Sequence, residues 1–157
     1  IILAQYIKDN PENNYIIAPH ELHHISDLQR KTDALLYSKA NEKNILMANV
    51  LIIDSIGILS NIYQYANIAY IGGGFGAGIH NILEAVVFGL PVIFGPNYQK
   101  FNEAKELINQ KGAISISNYQ ELSAAIDLFN SFDKSIAINY IKENSGATTR
   151  ILNSIIA

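Results

Sequence analysis

Five glycines fall within seven residues at Gly72-Gly73-Gly74-Phe75-Gly76-Ala77-Gly78, directly ahead of Ile79-His80-Asn81-Ile82-Leu83-Glu84. Without Cβ atoms the backbone turns sharply there and can approach a ligand closely. The apolar run Ile68 to Ile71 predicts a strand before the turn. A helix is predicted after it, from about Ile79 to Phe88, stopped by Gly89 and Pro91. Strand, glycine turn and helix N-terminus together make an anion site, since free N–H groups and the helix dipole face the turn. A phosphate fits it. On that helix His80 and Glu84 would lie one turn apart on one face. Glu84 could accept two hydroxyls of a ribose or sugar, or simply favour the helix dipole. His80 could donate to a phosphate or sugar carboxylate, or be structural. The dinucleotide pattern fails because Ala77 stands where its third glycine belongs, and the Lys-Ser/Thr ending of a P-loop is absent.

Three further loops carry polar or special residues. Ser55-Ile56-Gly57 precedes a predicted helix near Ile58, where Ser55 would cap and the N–H groups could hold a base or phosphate. Pro19-His20-Glu21 ends a predicted strand, and His23 and His24 follow. These histidines have Glu21 as the sole carboxylate in ligand spacing, so no metal is expected. Gly95-Pro96-Asn97 leads into Tyr98, Lys100 and Phe101, which could flank a pocket or cover the sheet end.

The elements that must position these loops alternate along the chain. Strands are predicted at Tyr15–Ala18, Ala34–Tyr37, Val50–Ile53, Ile68–Ile71, Val92–Phe94 and Ala113–Ile116. Helices are predicted at Ile1–Lys8, Glu21–Lys31, Ile58–Tyr65, Ile79–Phe88, Asn102–Gln110 and Tyr119–Phe129, with a helical tail from Lys134 to Ala157 broken near Gly146. Continuous β-branched runs between helices mean strands buried on both faces, hence an α/β fold with a doubly wound, Rossmann-like parallel sheet. Ligands of such sheets lie beyond the carboxyl ends of the strands, where all four loops fall. A length of 157 residues suits one domain with a real core. A net charge of −3 without a basic cluster argues against nucleic acid. The absence of cysteine excludes disulfides and thiolate metal sites. No apolar run reaches the roughly 18 to 20 residues that span a bilayer. The opening Ile1-Ile2-Leu3-Ala4, without Met, is taken as a piece of something longer.

Gly72 to Gly76 with Gly78-Ile79-His80-Asn81 and Leu83-Glu84-Ala85 closely resembles the carboxyl-terminal half of 3-deoxy-D-manno-octulosonic acid (Kdo) transferases. Gly89-Leu90-Pro91-Val92, Phe94-Gly95-Pro96, Phe101 and Glu103-Ala104 extend the resemblance. Ala18-Pro19-His20-Glu21 and Asp54-Ser55-Ile56-Gly57 look like the family's other donor-site segments, so that Ile16 to Ala125 is covered. The resemblance implies a GT-B glycosyltransferase of two Rossmann-like domains, with residues 1–157 as the CMP-Kdo-binding domain. The amino-terminal domain, absent from this chain, would bind the lipid A precursor, supply the catalytic carboxylate and contact the membrane. The intact enzyme would work at the cytoplasmic face of the bacterial inner membrane.

The resemblance further implies that Gly73, Gly74, Phe75 and Gly76, with the N–H groups of His80 and Asn81, hold the phosphate. Glu84 would take ribose hydroxyls, and Ser55, Ile56, Gly57, Pro19 and His20 would line the rest of the nucleotide site, with Ile56-Gly57 and Pro19-His20 flanking the cytosine. No catalytic residue and no cofactor are expected in this chain, and the chain alone should be inactive. Two departures stand out: the family's Gly-Glu-Leu reads Gly57-Ile58-Leu59, and His20 replaces a frequent arginine. The family's first strand, expected at the sheet centre, would be missing. The alternatives are another GT-B glycosyltransferase with a UDP donor, or a non-catalytic nucleotide-binding module.

Overall fold

The computed structural model describes residues 2–146, 152, 154 and 155. The chain divides into two compact units, Ile1–Asn61 and Ile62–Ala157.

In the first unit, α1 (Ile2–Asp9) precedes β1 (Tyr15–Ile17). A 3-10 turn at Leu22–His24 runs into α2 (Ile25–Thr32), and β2 (Leu35–Leu36) follows. Two more 3-10 turns, Tyr37–Lys39 and Ile45–Met47, lead to β3 (Val50–Ile52). The strands form a parallel sheet in the order β1-β3-β2, with Ile17 and Leu36 both registered on Ile52. Its core is small: Ile7, Ala34, Val50 and Ile52 are buried, with Leu3, Tyr15, Ile17, Ile25, Leu28 and Leu36 packed around them.

α3 (Leu59–Ile62) and a 3-10 turn at Tyr63–Tyr65 carry the chain into the second unit. There β4 (Ala69–Ile71), α4 (Leu83–Val86), β5 (Val92–Phe94), α5 (Asn102–Asn109) and β6 (Ala113–Ser115) alternate, before α6 (Tyr119–Phe129) and α7 (Ser135–Asn144). The parallel sheet runs β4-β5-β6. All of β5 is buried, because Val92-Ile93-Phe94 has sheet neighbours on both edges and apolar cover on its faces. Asn118 caps α6 by accepting from the Glu121 N–H at 2.9 Å, while the Glu121 carboxylate takes the Ser117 N–H at 2.6 Å. Tyr140 on α7 donates its hydroxyl to Glu106 on α5 at 2.8 Å. Burial first, then this carboxylate, raises the Tyr140 pKa, so the phenol stays protonated and the tie between the helices persists.

The six predicted strands are therefore all present, and parallel. The helices differ in three places. The predicted helix Glu21–Lys31 is a 3-10 turn followed by α2, and Ile58–Tyr65 is α3 followed by a 3-10 turn. The predicted helix Ile79–Phe88 shrinks to Leu83–Val86. The N–H of His80 bonds back to the Gly72 carbonyl at 3.1 Å, and Asn81 Oδ1 accepts the Leu83 N–H at 3.0 Å, so residues 79–81 belong to the turn. The predicted tail is helical over Ser135–Asn144, and Gly146 has the left-handed φ of a break. Most of the tail beyond lies outside the described residues.

Candidate functional site

The candidate residues fall into two groups, one in each unit. In the second unit the glycine turn leaves the carboxyl end of β4 and is fastened to the end of β5. The Asn97 N–H donates to the Gly74 carbonyl at 2.9 Å, and its side-chain amide donates to the Gly76 carbonyl at 2.7 Å. Gly74 lies directly on Gly95: a Cβ at Gly74 would come within 2.6 Å of the Gly95 nitrogen. Gly73 has a φ of 86°, and a Cβ there would collide with the Gly78 carbonyl oxygen. Internal packing thus accounts for Gly73 and Gly74. It does not account for Gly76, where the nearest atom to an added Cβ is the Gly73 oxygen at 3.5 Å and no positive φ is needed. The sequence pattern showed Asn97 only as part of a loop; its part in pinning the turn depends on contacts between residues far apart in the chain.

Several donors are occupied within the turn itself. The N–H groups of Gly76 and Gly78 approach the Gly73 carbonyl at 2.8 and 3.4 Å, and that of His80 is held by Gly72. The expected use of the His80 N–H on a phosphate is therefore not available in this geometry. Nor do His80 and Glu84 share a helical face, since His80 precedes the helix. The His80 ring instead borders Gly72, where an added Cβ would touch its Cδ2 at 3.4 Å. Glu84 is exposed in the first turn of α4, and its Oε1 accepts the Asn81 side-chain amide at 3.1 Å. Phe75 is 48% exposed at the tip of the turn. Burial and, secondarily, the Glu84 carboxylate push up the pKa of Tyr63.

In the first unit, Pro19-His20 follows β1 and Ser55-Ile56-Gly57 follows β3. These strands are direct partners, and the Ile53 N–H continues the pairing to the Ile17 carbonyl at 2.8 Å, so both loops leave the sheet at the same end. Ser55 does not cap a helix, because α3 starts only at Leu59. Ile56 is 86% exposed, and Gly57 has a φ of 91° with open space around it. Asp54 anchors the loop. It accepts the Ser38 N–H at 2.9 Å on Oδ1 and the Ser38 hydroxyl on Oδ2, and the hydroxyl bond chiefly lowers its pKa. Pro19, His20, Glu21, His24, Asp27 and Leu28 border a depression of about 340 Å³ on this unit.

Comparison with known proteins gives this geometry a context. The chain is 31% identical over 125 residues to a 3-deoxy-D-manno-octulosonic acid transferase of Aquifex aeolicus, which covers 78% of the chain. It is 33% identical over 106 residues to the enzyme of the same name from Rickettsia felis, covering 67% of the chain. Stretches of those lengths cannot miss the glycine turn near the middle of the chain. This chain is a homologue of the Kdo transferases. It spans about a third or less of these relatives, 35% of the first and 23% of the second. No protein-family model matches it. The fold matches a crystal structure of the C-terminal CMP-Kdo binding domain of WaaA from Acinetobacter baumannii, with a TM-score of 0.71 and 20% identity, over 89% of this chain and 79% of that one. The two parallel sheets and their helices are thus those of a Rossmann-like GT-B carboxyl-terminal domain. Among the described residues no helix is long and apolar enough to cross a membrane.

Proposed function

We propose that this chain is the donor-binding part of a Kdo transferase and holds the CMP portion of CMP-Kdo. The similarity to Kdo transferases, running through the glycine turn, carries the reading. As the sugar leaves, negative charge grows on the CMP phosphate, and fixed N–H groups stabilise it without reorganising. With the His80 N–H already bonded to Gly72, this role passes to other main-chain donors of the turn, of which Phe75 and Ala77 are on exposed residues. Gly73 and Gly74 shape the turn, and Gly76 leaves room for the phosphate. Glu84 is the proposed acceptor of ribose hydroxyls, with Asn81 orienting its carboxylate. The roles of Pro19, His20, Ser55, Ile56 and Gly57 beside the nucleotide rest on the family resemblance alone.

In the intact protein the sugar would pass to a lipid A precursor held by an amino-terminal domain, at the cytoplasmic face of the inner membrane. Residues 1–157 would form one donor domain. The test is a calorimetric series with CMP, CDP, UMP, UDP and NAD on this chain and on Glu84→Gln. CMP should bind best. Loss of a hydrogen bond to a charged group, about 1.5 to 3 kcal/mol, should weaken CMP about tenfold or more in the variant. Equal affinity for NAD and CMP would contradict the proposal, and unchanged CMP affinity in the variant would remove Glu84 from the site.

A further inference from the structure

The short 3-10 turn after Pro19 brings together three side chains for which the proposed nucleotide site has no use. Glu21 Oε2 lies 3.2 Å from His23 Nε2 and 3.4 Å from His24 Nε2. The donor atoms of all three lie within 4.8 Å of one another. Adjacent residues on a helical turn do not ordinarily face each other. Here the two imidazoles converge, with centroids 4.0 Å apart and a tilt of 47°.

Hydrogen bonding accounts for the His23 contact, at the long end of its range of about 2.7 to 3.2 Å, but not for the His24 contact beyond it. N–H···O bonds centre on about 2.9 to 3.0 Å. Two ligands on a tetrahedral zinc, each about 2.0 to 2.2 Å from the metal, stand about 3.3 to 3.6 Å apart. The two Glu21–imidazole separations come close to that edge length. Glu21 and His24 also border the depression of about 340 Å³, which leaves water room to complete a coordination sphere.

Against the expectation of no metal drawn from their spacing in the sequence, we infer that Glu21, His23 and His24 form a surface binding site for a late first-row divalent cation such as Zn²⁺, with Glu21 Oε2 and the two Nε2 atoms as ligands. Two imidazoles and one carboxylate suit zinc, nickel or copper, whereas magnesium and calcium take oxygen ligands. Three protein ligands leave a fourth position open to water. Asp27, nearby, is already engaged by Arg30 and Lys31 and serves as a control.

The test is calorimetric titration of Zn²⁺ into the full chain, with Co²⁺ absorption as a second probe. One site with micromolar affinity is expected, and Glu21→Gln, His23→Ala and His24→Ala should each weaken it at least about tenfold. Asp27→Asn should leave it intact. Because the three ligand side chains are more than half exposed, these substitutions should preserve the far-ultraviolet circular dichroism. In the unaltered chain, the imidazole nitrogen resonances of His23 and His24 should shift on adding Zn²⁺. No saturable binding up to about 1 mM Zn²⁺ would overturn the inference. So would binding that persists in both histidine variants, or imidazole resonances that do not move.

Discussion

The turn after β4 and the loop after β3 each carry glycine at the end of a buried parallel strand, and they are built in opposite ways. The β4 turn is fastened by Asn97 to the next strand, with Gly74 pressed on the backbone of Gly95. The β3 loop is held at its root by Asp54 and Ser38, then runs free of close neighbours at Gly57. The sheets beneath them differ likewise. β5 is buried throughout, whereas in the first unit Ile16 on β1 is 44% exposed. A fixed turn can present N–H groups to a developing charge without reorganising. An open loop can only close on a ligand or be ordered by one. The difference favours the first kind of loop for the proposed phosphate role and makes the second the more adaptable.

Substitution should separate the two loops. Gly74→Ala should have the largest effect, because its methyl meets main-chain atoms that cannot swing aside. We expect destabilisation at the upper end of the roughly 1 to 3 kcal/mol of overpacking, together with loss of CMP binding. Denaturant unfolding measures it, and an unchanged midpoint would show that the turn is looser than described. Gly57→Ala meets no atom and costs only the left-handed backbone, about 1 to 2 kcal/mol. Hydrogen exchange should show that loss confined to the first unit; destabilisation as large as that of Gly74→Ala would erase the contrast.

The smallest effect concerns pH. The Ser38 hydroxyl and N–H hold the Asp54 carboxyl below its ordinary value of 3.8. A depressed folded-state pKa stabilises above the unfolded value, and that stabilisation disappears as pH falls through the folded value. Acidification below about 4 should therefore loosen the β3 loop, and Asp54→Asn should remove that part of the acid response. The amide resonance of Ser38, followed from pH 6 to about 2, reports it directly.

Much of this was legible in the sequence, and the failures have physical causes. All six strands follow from short apolar runs, most of them rich in β-branched residues, bounded by polar residues, glycine or proline, a local signal that neighbouring strands only reinforce. The helix after the glycine turn is shorter than its apolar spacing, which continues back to Ile79, implies. The bonds that withhold residues 79–81, His80 to Gly72 and Asn81 to Leu83, arise from turn chemistry that periodicity does not record. Of the site, the glycine turn and Glu84 could be located by type and spacing. The role of Asn97 and the convergence of His23 and His24 on Glu21 could not, since they depend on tertiary placement and on adjacent side chains turning toward one point.

Gly76→Ala tests the central claim most directly. Packing tolerates a methyl at this exposed position, with the nearest atom 3.5 Å away. If the turn cradles the CMP phosphate, that methyl occupies ligand space: the melting temperature should hold while CMP affinity falls about tenfold or more by calorimetry. CMP binding as tight to the variant as to the parent chain would contradict a phosphate in this turn.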